Sequence, residues 1–398
     1  AVKLVVEREL ARRNFRKGAY WGLTAELEAG KQGFTAELRE VAGRRVATGN
    51  DFDDTTGQVK GNPLLLDEAS ARELAAKSKA AEPWKVDKLT TEEAMERPAP
   101  PFMTTTLQQE ANRKLGFSAD RTMRVAQSLY EGVSLGGEQV GLITYMRTDS
   151  LSLSNTAIED IRGLIASDYP DCLPEKPTRY TSKVRNAQEA HEAIRPTDAK
   201  RRPSQVAPFL TEDQRKVYEL VWKRAVASQM KPARVLKTEA LIGVEVEDGP
   251  LVFRAAGKQI LFDGFRRLYT EDRDEDAVEK EEAERRLPKL AEGDVLNCED
   301  VKAAGHETKP PARFTDASLI RELEKRGIGR PSTYASILKV IEDRGYVRKQ
   351  GRTIVPTFMA FLTMEVLEGN FHELVDYGFT ARMDEDLDDI SNGELNSR

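Results

Sequence analysis

The chain has 398 residues, of which 39% are hydrophobic and 32% charged, with a formal net charge of −6. This length suits roughly two to four domains. No stretch approaches the about eighteen apolar residues that a membrane span needs, and the two distant cysteines exclude a disulfide scaffold and a cysteine-built zinc site. The chain begins without Met in a helical pattern, so we expect it to be part of a longer protein.

The negative charge is concentrated in two stretches. Residues 271–286, a predicted solvated loop or helix, hold nine acidic and four basic residues, and residues 381–398 hold six and two. By contrast, residues 309–352 carry eleven basic and five acidic residues, and residues 1–18 carry six and two. Locally basic surfaces favour phosphate-bearing partners, although solvated helix faces produce the same pattern. The composition therefore leaves a nucleic-acid partner open.

The apolar period changes several times along the chain. In residues 1–17 the apolar residues recur with a helical period. Residues 18–99 mostly alternate apolar and polar residues as strands do, include one helical stretch, and end in a Pro-rich linker. Residues 100–231 are mainly helical, and the period of two returns at 232–305. We therefore predict one discontinuous β-rich domain that carries a helical insertion. Beyond it, two helices joined by the turn GIGRP form a helix–turn–helix shape.

The first candidate site is the string GLITYMRTDS at 141–150. Its apolar start predicts a short buried strand that ends at Tyr145, two residues before Arg147. A tyrosine hydroxyl can attack phosphorus, but its reference pKa of about 10 leaves only roughly one in a thousand ionised at neutral pH. A nearby guanidinium favours the phenolate and binds a phosphate oxygen. The other polar candidates, of which the aspartate could orient the arginine, are Thr144, Thr148, Asp149 and Ser150. The alternative is an ordinary core tyrosine beside a surface Arg–Asp pair.

The second candidate site is the string HEAIRPT at 191–197. If this segment is helical, His191 and Arg195 share one face. Such a pair suits a phosphodiester, with the arginine providing charge and the histidine a hydrogen-bond donor or proton relay. A single histidine beside a glutamate is also an ordinary surface residue, so both readings stay open. No histidine or cysteine cluster has the spacing of metal ligands.

The third candidate site is the string RGIGRPSTY at 326–334. Its two glycines predict a tight turn, and Ser332 is the predicted N-cap of the helix that follows. The free N–H groups at that helix start, together with Ser332, Thr333 and Arg330, would bind a phosphate. The alternative is a well-capped turn without a ligand.

These three strings together resemble the signature segments of type IA DNA topoisomerases. The Met in TYMRTDS resembles the residue found at this position in the bacterial branch of that family. The resemblance covers the whole chain in the family's order. It implies a multidomain α+β fold, a toroidal core with a discontinuous β-rich arch domain and two mainly helical domains. The arch would comprise residues 18–99 and 232–308, and the helical domain with the nucleophile residues 100–231. Residues 1–17 and 309–398 would form the helical strand-binding domain.

The resemblance also assigns roles to single residues. It implies that Tyr145 forms a 5′-phosphotyrosine link with single-stranded DNA and that Arg147 and His191 act at the same phosphate. Arg195 lies in the same segment. The residues that would hold the backbone of the strand are Arg330, Thr333 and Arg344, and the other DNA-binding candidates are Thr144, Asp149 and Ser332.

The implied activity is relaxation of negatively supercoiled DNA by a monomer in the bacterial cytoplasm, at the nucleoid, with no membrane contact. The family uses Mg²⁺ on an acidic DxD motif of an N-terminal Toprim domain, and no equivalent motif occurs in this chain. The acidic strings DFDD and DEDLDD lack the right neighbours. We therefore expect Mg²⁺ to be bound only in the full-length enzyme, and the 398 residues to be inactive alone. The alternative is a non-catalytic module that binds single-stranded DNA or acts as a gate.

Overall fold

The computed structural model of the chain describes residues 1–181, 191–271 and 287–391, together with Gly393 and Leu395. The predicted loop or helix at 271–286 lies outside these residues, apart from Glu271. No helix in the described ranges has both the length and the apolar character that a membrane crossing requires.

The helices of the described residues are α1 (Val2–Asn14), α2 (Glu68–Ala80), α3 (Thr104–Glu110), α4 (Ala119–Glu131), α5 (Asn155–Asp168), α6 (Pro203–Val206), α7 (Glu212–Ala227), α8 (Asp316–Lys325), α9 (Tyr334–Asp343), α10 (Phe358–Asn370) and α11 (Tyr377–Ser391). The strands are β1 (Ala19–Ala29), β2 (Gln32–Val41), β3 (Arg44–Arg45), β4 (Trp84–Glu96), β5 (Val133–Leu135), β6 (Glu138–Val140), β7 (Ala233–Val246), β8 (Gly249–Phe262), β9 (Val295–Glu307), β10 (Val347–Gln350) and β11 (Thr353–Pro356).

Seven strands form one antiparallel sheet in the order β1-β9-β4-β7-β8-β2-β3. Because β1 also pairs with β2, the sheet closes on itself and leaves β3 at its edge. Strands from either side of the helical insertion are neighbours, as in the pairs Leu23↔Ala303 and Thr90↔Glu239. Two segments far apart in sequence are therefore joined by one hydrogen-bonded ladder.

The side chains that alternate along these strands form the core of the closed sheet. Leu251, Phe253 and Ala255 of β8 are buried at every second position, as expected for a strand with one covered face. The indole of Trp84 packs on Phe253 with ring centroids 4.8 Å apart. Helix α2 adds Leu74 to the same hydrophobic cluster.

A second and a third hydrophobic cluster lie outside the sheet. The helical insertion is centred on buried residues that include Tyr218 and Trp222 of α7. Leu4 of α1 packs in the cluster of the last block, with Leu319 of α8 and Leu338 of α9. The first helix and the last block of the chain thus share one core.

One local prediction was wrong, and the helical condition considered for a second segment is not met. The segment 141–144 is not a regular strand, because among the described residues Ile143 makes only an isolated antiparallel bridge to Pro196. The segment 191–196 is extended rather than helical, and Ile194 bridges to Phe102. Each segment finds its backbone partners in distant parts of the chain, which a local pattern does not reveal.

Candidate active site

Tyr145 projects outward from a buried backbone. Its neighbours Leu142, Ile143 and Met146 are at most 2% exposed, whereas the tyrosine itself is 43% exposed. The ring contacts the edge of Tyr130, with centroids 5.3 Å apart and planes at 67°. The flanking apolar side chains therefore anchor the segment, and the phenol is left accessible.

Thr104, the first residue of α3, fixes the backbone on the far side of the tyrosine. Its hydroxyl donates to the carbonyl of Met146 at 2.8 Å and accepts from the N–H of Thr148 at 2.8 Å. The Thr104 side chain is fully buried, so water does not compete for these bonds. Sequence reasoning missed this residue, since nothing local distinguishes it from the two threonines that follow.

Thr144 holds the two catalytic candidate segments side by side. Its backbone N–H donates to the carbonyl of Arg195 at 2.9 Å. Its hydroxyl donates to the carbonyl of Ala193 at 2.7 Å and accepts from the N–H of Arg195 at 3.0 Å. The strings TYMRTDS and HEAIRPT are thereby brought together. The Thr144 hydroxyl is occupied by this backbone.

Two charged or titratable candidates of these segments face solvent. Arg147 and His191 are both exposed, and neither side chain has a hydrogen bond or ion pair with another described residue. Asp149 is half-buried and does not pair with Arg147 in the described part of the chain, so the idea that it orients this arginine was wrong. Both side chains are therefore accessible to a ligand.

Arg195 differs from these because its guanidinium is engaged by the protein. It donates to Glu192 at 2.5 Å and to the carbonyl of Pro196 at 2.9 Å. Burial tends to raise the pKa of Glu192, but hydrogen bonds from Arg195 and Ser154 outweigh it and lower that pKa. Because the segment is extended, Arg195 and His191 do not share a helical face.

The third candidate segment is the turn between α8 and α9. Gly327 and Gly329 adopt φ values of +72° and +86°, which favour glycine. Ser332 does not cap α9: the residue before the helix is Thr333, which makes no side-chain cap. The Thr333 hydroxyl instead accepts from the N–H of Arg330 at 2.8 Å. The predicted N-cap was wrong because the helix begins one residue later than expected, and the Thr333 hydroxyl before it bonds back to the turn at Arg330.

Arg344 lies apart from this turn. It follows the last residue of α9, and the ten residues of this helix place it about 16 Å along the axis from Thr333, which precedes the helix. Its side chain is exposed and unpaired among the described residues. The candidates of the last block thus occupy two ends of one helix.

Glu324 connects the turn to the tyrosine segment. Its carboxylate accepts from the Thr105 hydroxyl at 2.8 Å and from the Gln109 amide at 3.4 Å, both on α3. Burial raises the pKa of Tyr334, and the charge of Asp149 contributes to the same shift. All three candidate strings are therefore linked through α3 and the start of α9. Sequence reasoning missed Glu324, which has the appearance of an ordinary helix-surface glutamate.

This arrangement suits a phosphodiester and does not supply a metal centre. It combines an exposed phenol, an exposed guanidinium, an exposed imidazole and a turn that carries Arg330. No group of three or more His, Cys, Asp or Glu side chains lies together as metal ligands within residues 1–181, 191–271 and 287–391.

Comparison with known proteins adds the family context. The DNA topoisomerase family model matches residues 1–398. DNA topoisomerase 1 of Streptomyces coelicolor is 51% identical over 100% of this chain, and that of Synechococcus elongatus is 48% identical over 99%. The chain spans 42% and 44% of the length of these relatives. The structure of full-length topoisomerase I from Thermotoga maritima matches 99% of this chain and 59% of its own, with a TM-score of 0.80 at 33% identity.

Proposed function

The chain belongs to the DNA topoisomerase family, in its bacterial type IA branch, and from this premise we propose that the full-length protein relaxes negatively supercoiled DNA. It does so by cutting one strand through Tyr145, passing DNA through the gap and rejoining the strand. The partners are single-stranded and negatively supercoiled DNA, and the enzyme acts as a monomer at the bacterial nucleoid.

The observation that carries this proposal is the accessible phenol on a backbone held by hydrogen bonds on both sides. Tyr145 is 43% exposed, while Ile143 and Met146 near it are buried, and the backbone on its two sides is hydrogen-bonded to Thr104 of α3 and, through Thr144, to residues 193–195. A nucleophile held in this way loses little conformational freedom on reaching the transition state. A tyrosine with only a packing role has no need of such a setting.

The proposed reaction is a pair of transesterifications. The Tyr145 oxygen loses its proton and attacks phosphorus, the bond from phosphorus to the 3′ oxygen breaks, and that oxygen leaves as a protonated hydroxyl. In the second step the 3′ hydroxyl attacks the phosphotyrosine and restores both the strand and the phenol. One phosphodiester bond replaces another in each step, so no ATP is needed. Arg147 and His191 stabilise the charge that builds on the phosphate oxygens.

The family's Mg²⁺ is part of the proposed full-length activity, but the described residues do not fit a magnesium site. They contain no suitable group of three or more acidic, histidine or cysteine side chains. When bound, the ion would organise phosphate and acidic groups. No step above is assigned to a metal held by this chain.

The first test replaces the nucleophile in the full-length protein. Tyr145→Phe removes only the hydroxyl, so we expect no covalent transfer of a 3′-end-labelled oligonucleotide to the protein, whereas the wild-type protein should retain the labelled 3′-side fragment. The neighbouring Tyr130→Phe is the matched control, because its ring contacts Tyr145 while its hydroxyl has no part in the reaction. Undiminished capture by the Tyr145 variant would refute the assignment.

The second test separates the enzyme from its alternative, a single-strand-binding or gate module. We expect the 398 residues alone to bind a single-stranded oligonucleotide weakly and to leave a supercoiled plasmid unrelaxed in Mg²⁺, because the described residues provide no metal site. The full-length protein should relax the plasmid in the same assay. Relaxation by the 398 residues alone contradicts this part of the proposal, and inactivity of both proteins favours the module.

A further inference from the structure

The acidic helix α11 lies against the turn that carries Arg330. The carboxylate of Asp384 accepts from the N–H of Gly329 at 2.8 Å, and that of Asp388 accepts from Nε of Arg330 at 2.7 Å. On the same helix, Tyr377 and Ala381 pack against the hydrophobic cluster of the last block. These four residues follow a spacing of four, three and four, so they share one helical face.

These contacts leave one edge of the Arg330 guanidinium available. Nε is bound by Asp388, and Nη1 donates to the carbonyls of Gly327 and Gly329 at 3.2 and 2.8 Å. Nη2 has no hydrogen bond or ion pair with another described residue. The side chain is 31% exposed. Arg330 is thus fixed in one orientation with Nη2 as its outward donor.

We infer that Asp388 and Asp384 are positioning residues for strand binding: they fix Arg330 and its turn so that Nη2 meets a DNA phosphate. The inference rests on the proposed function, because it presumes that Arg330 contacts the strand. It also gives a role to two aspartates of the acidic string DEDLDD, which lacks the neighbours expected of a metal motif.

Two effects of these carboxylates on DNA binding oppose each other. Their negative charge lowers the local positive potential and therefore weakens attraction of a phosphate. Their hydrogen bonds immobilise a long side chain before the ligand arrives and therefore strengthen binding. The contacts at 2.7 and 2.8 Å on both the side chain and the backbone of the turn favour the second effect. Removal of one of these carboxylates therefore strengthens DNA binding if the first effect dominates and weakens it if the second does.

The test measures binding of a fluorescent single-stranded oligonucleotide to the full-length protein in the absence of Mg²⁺, over a range of salt concentrations. Asp388→Ala should weaken binding roughly fivefold although it removes a negative charge. The slope of log affinity against log salt should fall by about 0.7, the value of one lost phosphate contact on a single strand. Asp388→Asn keeps an oxygen that accepts from Nε, so it should bind within about twofold of wild type.

Asp386→Ala is the matched control. Asp386 is an exposed acid on the same helix without a hydrogen bond or ion pair to another described residue, and its removal should leave the salt slope unchanged. Equal or tighter binding by Asp388→Ala, or severalfold tighter binding by Asp388→Asn, overturns the inference. If Asp388→Ala melts early, the asparagine variant alone decides between these outcomes. If Arg330→Ala binds as wild type does, it is the strand-binding role of Arg330 in the proposed function that fails.

Discussion

Thr104 is the residue on which the placement of the Tyr145 backbone depends most directly. One hydroxyl satisfies a carbonyl and an N–H on either side of Arg147, and it also donates to the carbonyl of Thr148 at 3.0 Å. A buried backbone group that loses its partner costs free energy, because water does not replace the lost bond. The hydroxyl is thus part of the scaffold that holds the segment of the proposed nucleophile.

We predict that Thr104→Val destabilises the protein and slows cleavage. Valine has the same shape but leaves the N–H of Thr148 without its partner, so the free energy of unfolding should fall by about 1–3 kcal/mol. Denaturant titration of the 398 residues measures this loss, and oligonucleotide cleavage by the full-length protein should slow in parallel. Thr104→Ser keeps the hydroxyl and should retain most of both properties. Equal behaviour of the valine and serine variants contradicts the role assigned to the hydroxyl.

The sequence identified Tyr145 and Arg147 as candidates because they follow an apolar run within a few positions. Thr104 could not be identified in this way, since its hydrogen bonds reach 42 and 44 residues along the chain. The same holds for the pairing of Asp388 with Arg330, which spans 58 residues. Candidates that stand close together in sequence could be named from the sequence, whereas the side chains that hold their backbone depend on tertiary contacts.

At the scale of elements, α3 and α8 form the connection between the tyrosine segment and the turn that carries Arg330. Glu324 of α8 supplies a carboxylate to Thr105 and Gln109 of α3. Burial raises its pKa above the ordinary value, although both hydrogen bonds act in the opposite direction. The contact between the two helices therefore contains a group that binds a proton more readily in the folded state than in the unfolded chain.

This shift predicts how stability depends on pH. Between the ordinary glutamate value of 4.5 and the raised folded pKa, the folded state binds more protons than the unfolded state. The free energy of unfolding therefore falls as pH rises through this window. Glu324→Gln removes the titrating carboxyl group and with it this pH-dependent fall in the free energy of unfolding, while the amide oxygen still accepts from Thr105. Relative to wild type, the variant should become more stable as pH is raised from 4.5 to 7 in urea titrations.

A matched control keeps this prediction specific. Glu365 of α10 is exposed and has no hydrogen bond or ion pair with another described residue. The stability difference between Glu365→Gln and wild type should therefore be independent of pH. A Glu324→Gln curve that runs parallel to wild type would show that the buried carboxylate does not govern the pH response.

Helices and strands whose apolar residues recur with a clear period were predicted well, and segments without such a period were not. Helix α7 and the pair β7–β8 follow clear periods of 3.6 and two, and both occur where the sequence placed them. The sequence left the conformation of segment 191–196 open. This segment is extended because its backbone bonds go to residues 102, 144 and 152 rather than to its own neighbours. Closure of the sheet through β1–β2 was likewise not deducible from alternation alone.

At the scale of the whole molecule, the closed sheet and the helical insertion have separate hydrophobic clusters and meet where the chain passes between them. Arg224 of α7 lies at this junction and is only 2% exposed. It donates to the carbonyl of Pro100, in the connection that leaves β4, at 2.5 Å. It also donates to the Tyr269 hydroxyl at 3.4 Å and to Glu271 at 2.5 Å, both beyond β8. One guanidinium thus ties two connections from the sheet to one helix.

We predict that Arg224→Met loosens this junction and lowers the free energy of unfolding by about 2–4 kcal/mol. Methionine keeps the apolar contact with Phe102, over whose ring the guanidinium lies at 4.8 Å, but it leaves the carbonyl of Pro100 without this donor. The neighbouring Lys223→Met is the control, since Lys223 pairs with Glu219 at an exposed site and should change stability by less than about 1 kcal/mol. Chemical denaturation followed by tryptophan fluorescence and by circular dichroism compares the two variants.

The same titrations test whether the junction couples the two cores. Trp222 belongs to the helical core and Trp84 to the sheet. If the fluorescence transition separates from the circular dichroism transition in Arg224→Met, the junction couples both cores in the wild type. Equal stability of the two variants would show instead that the connections are held by packing alone.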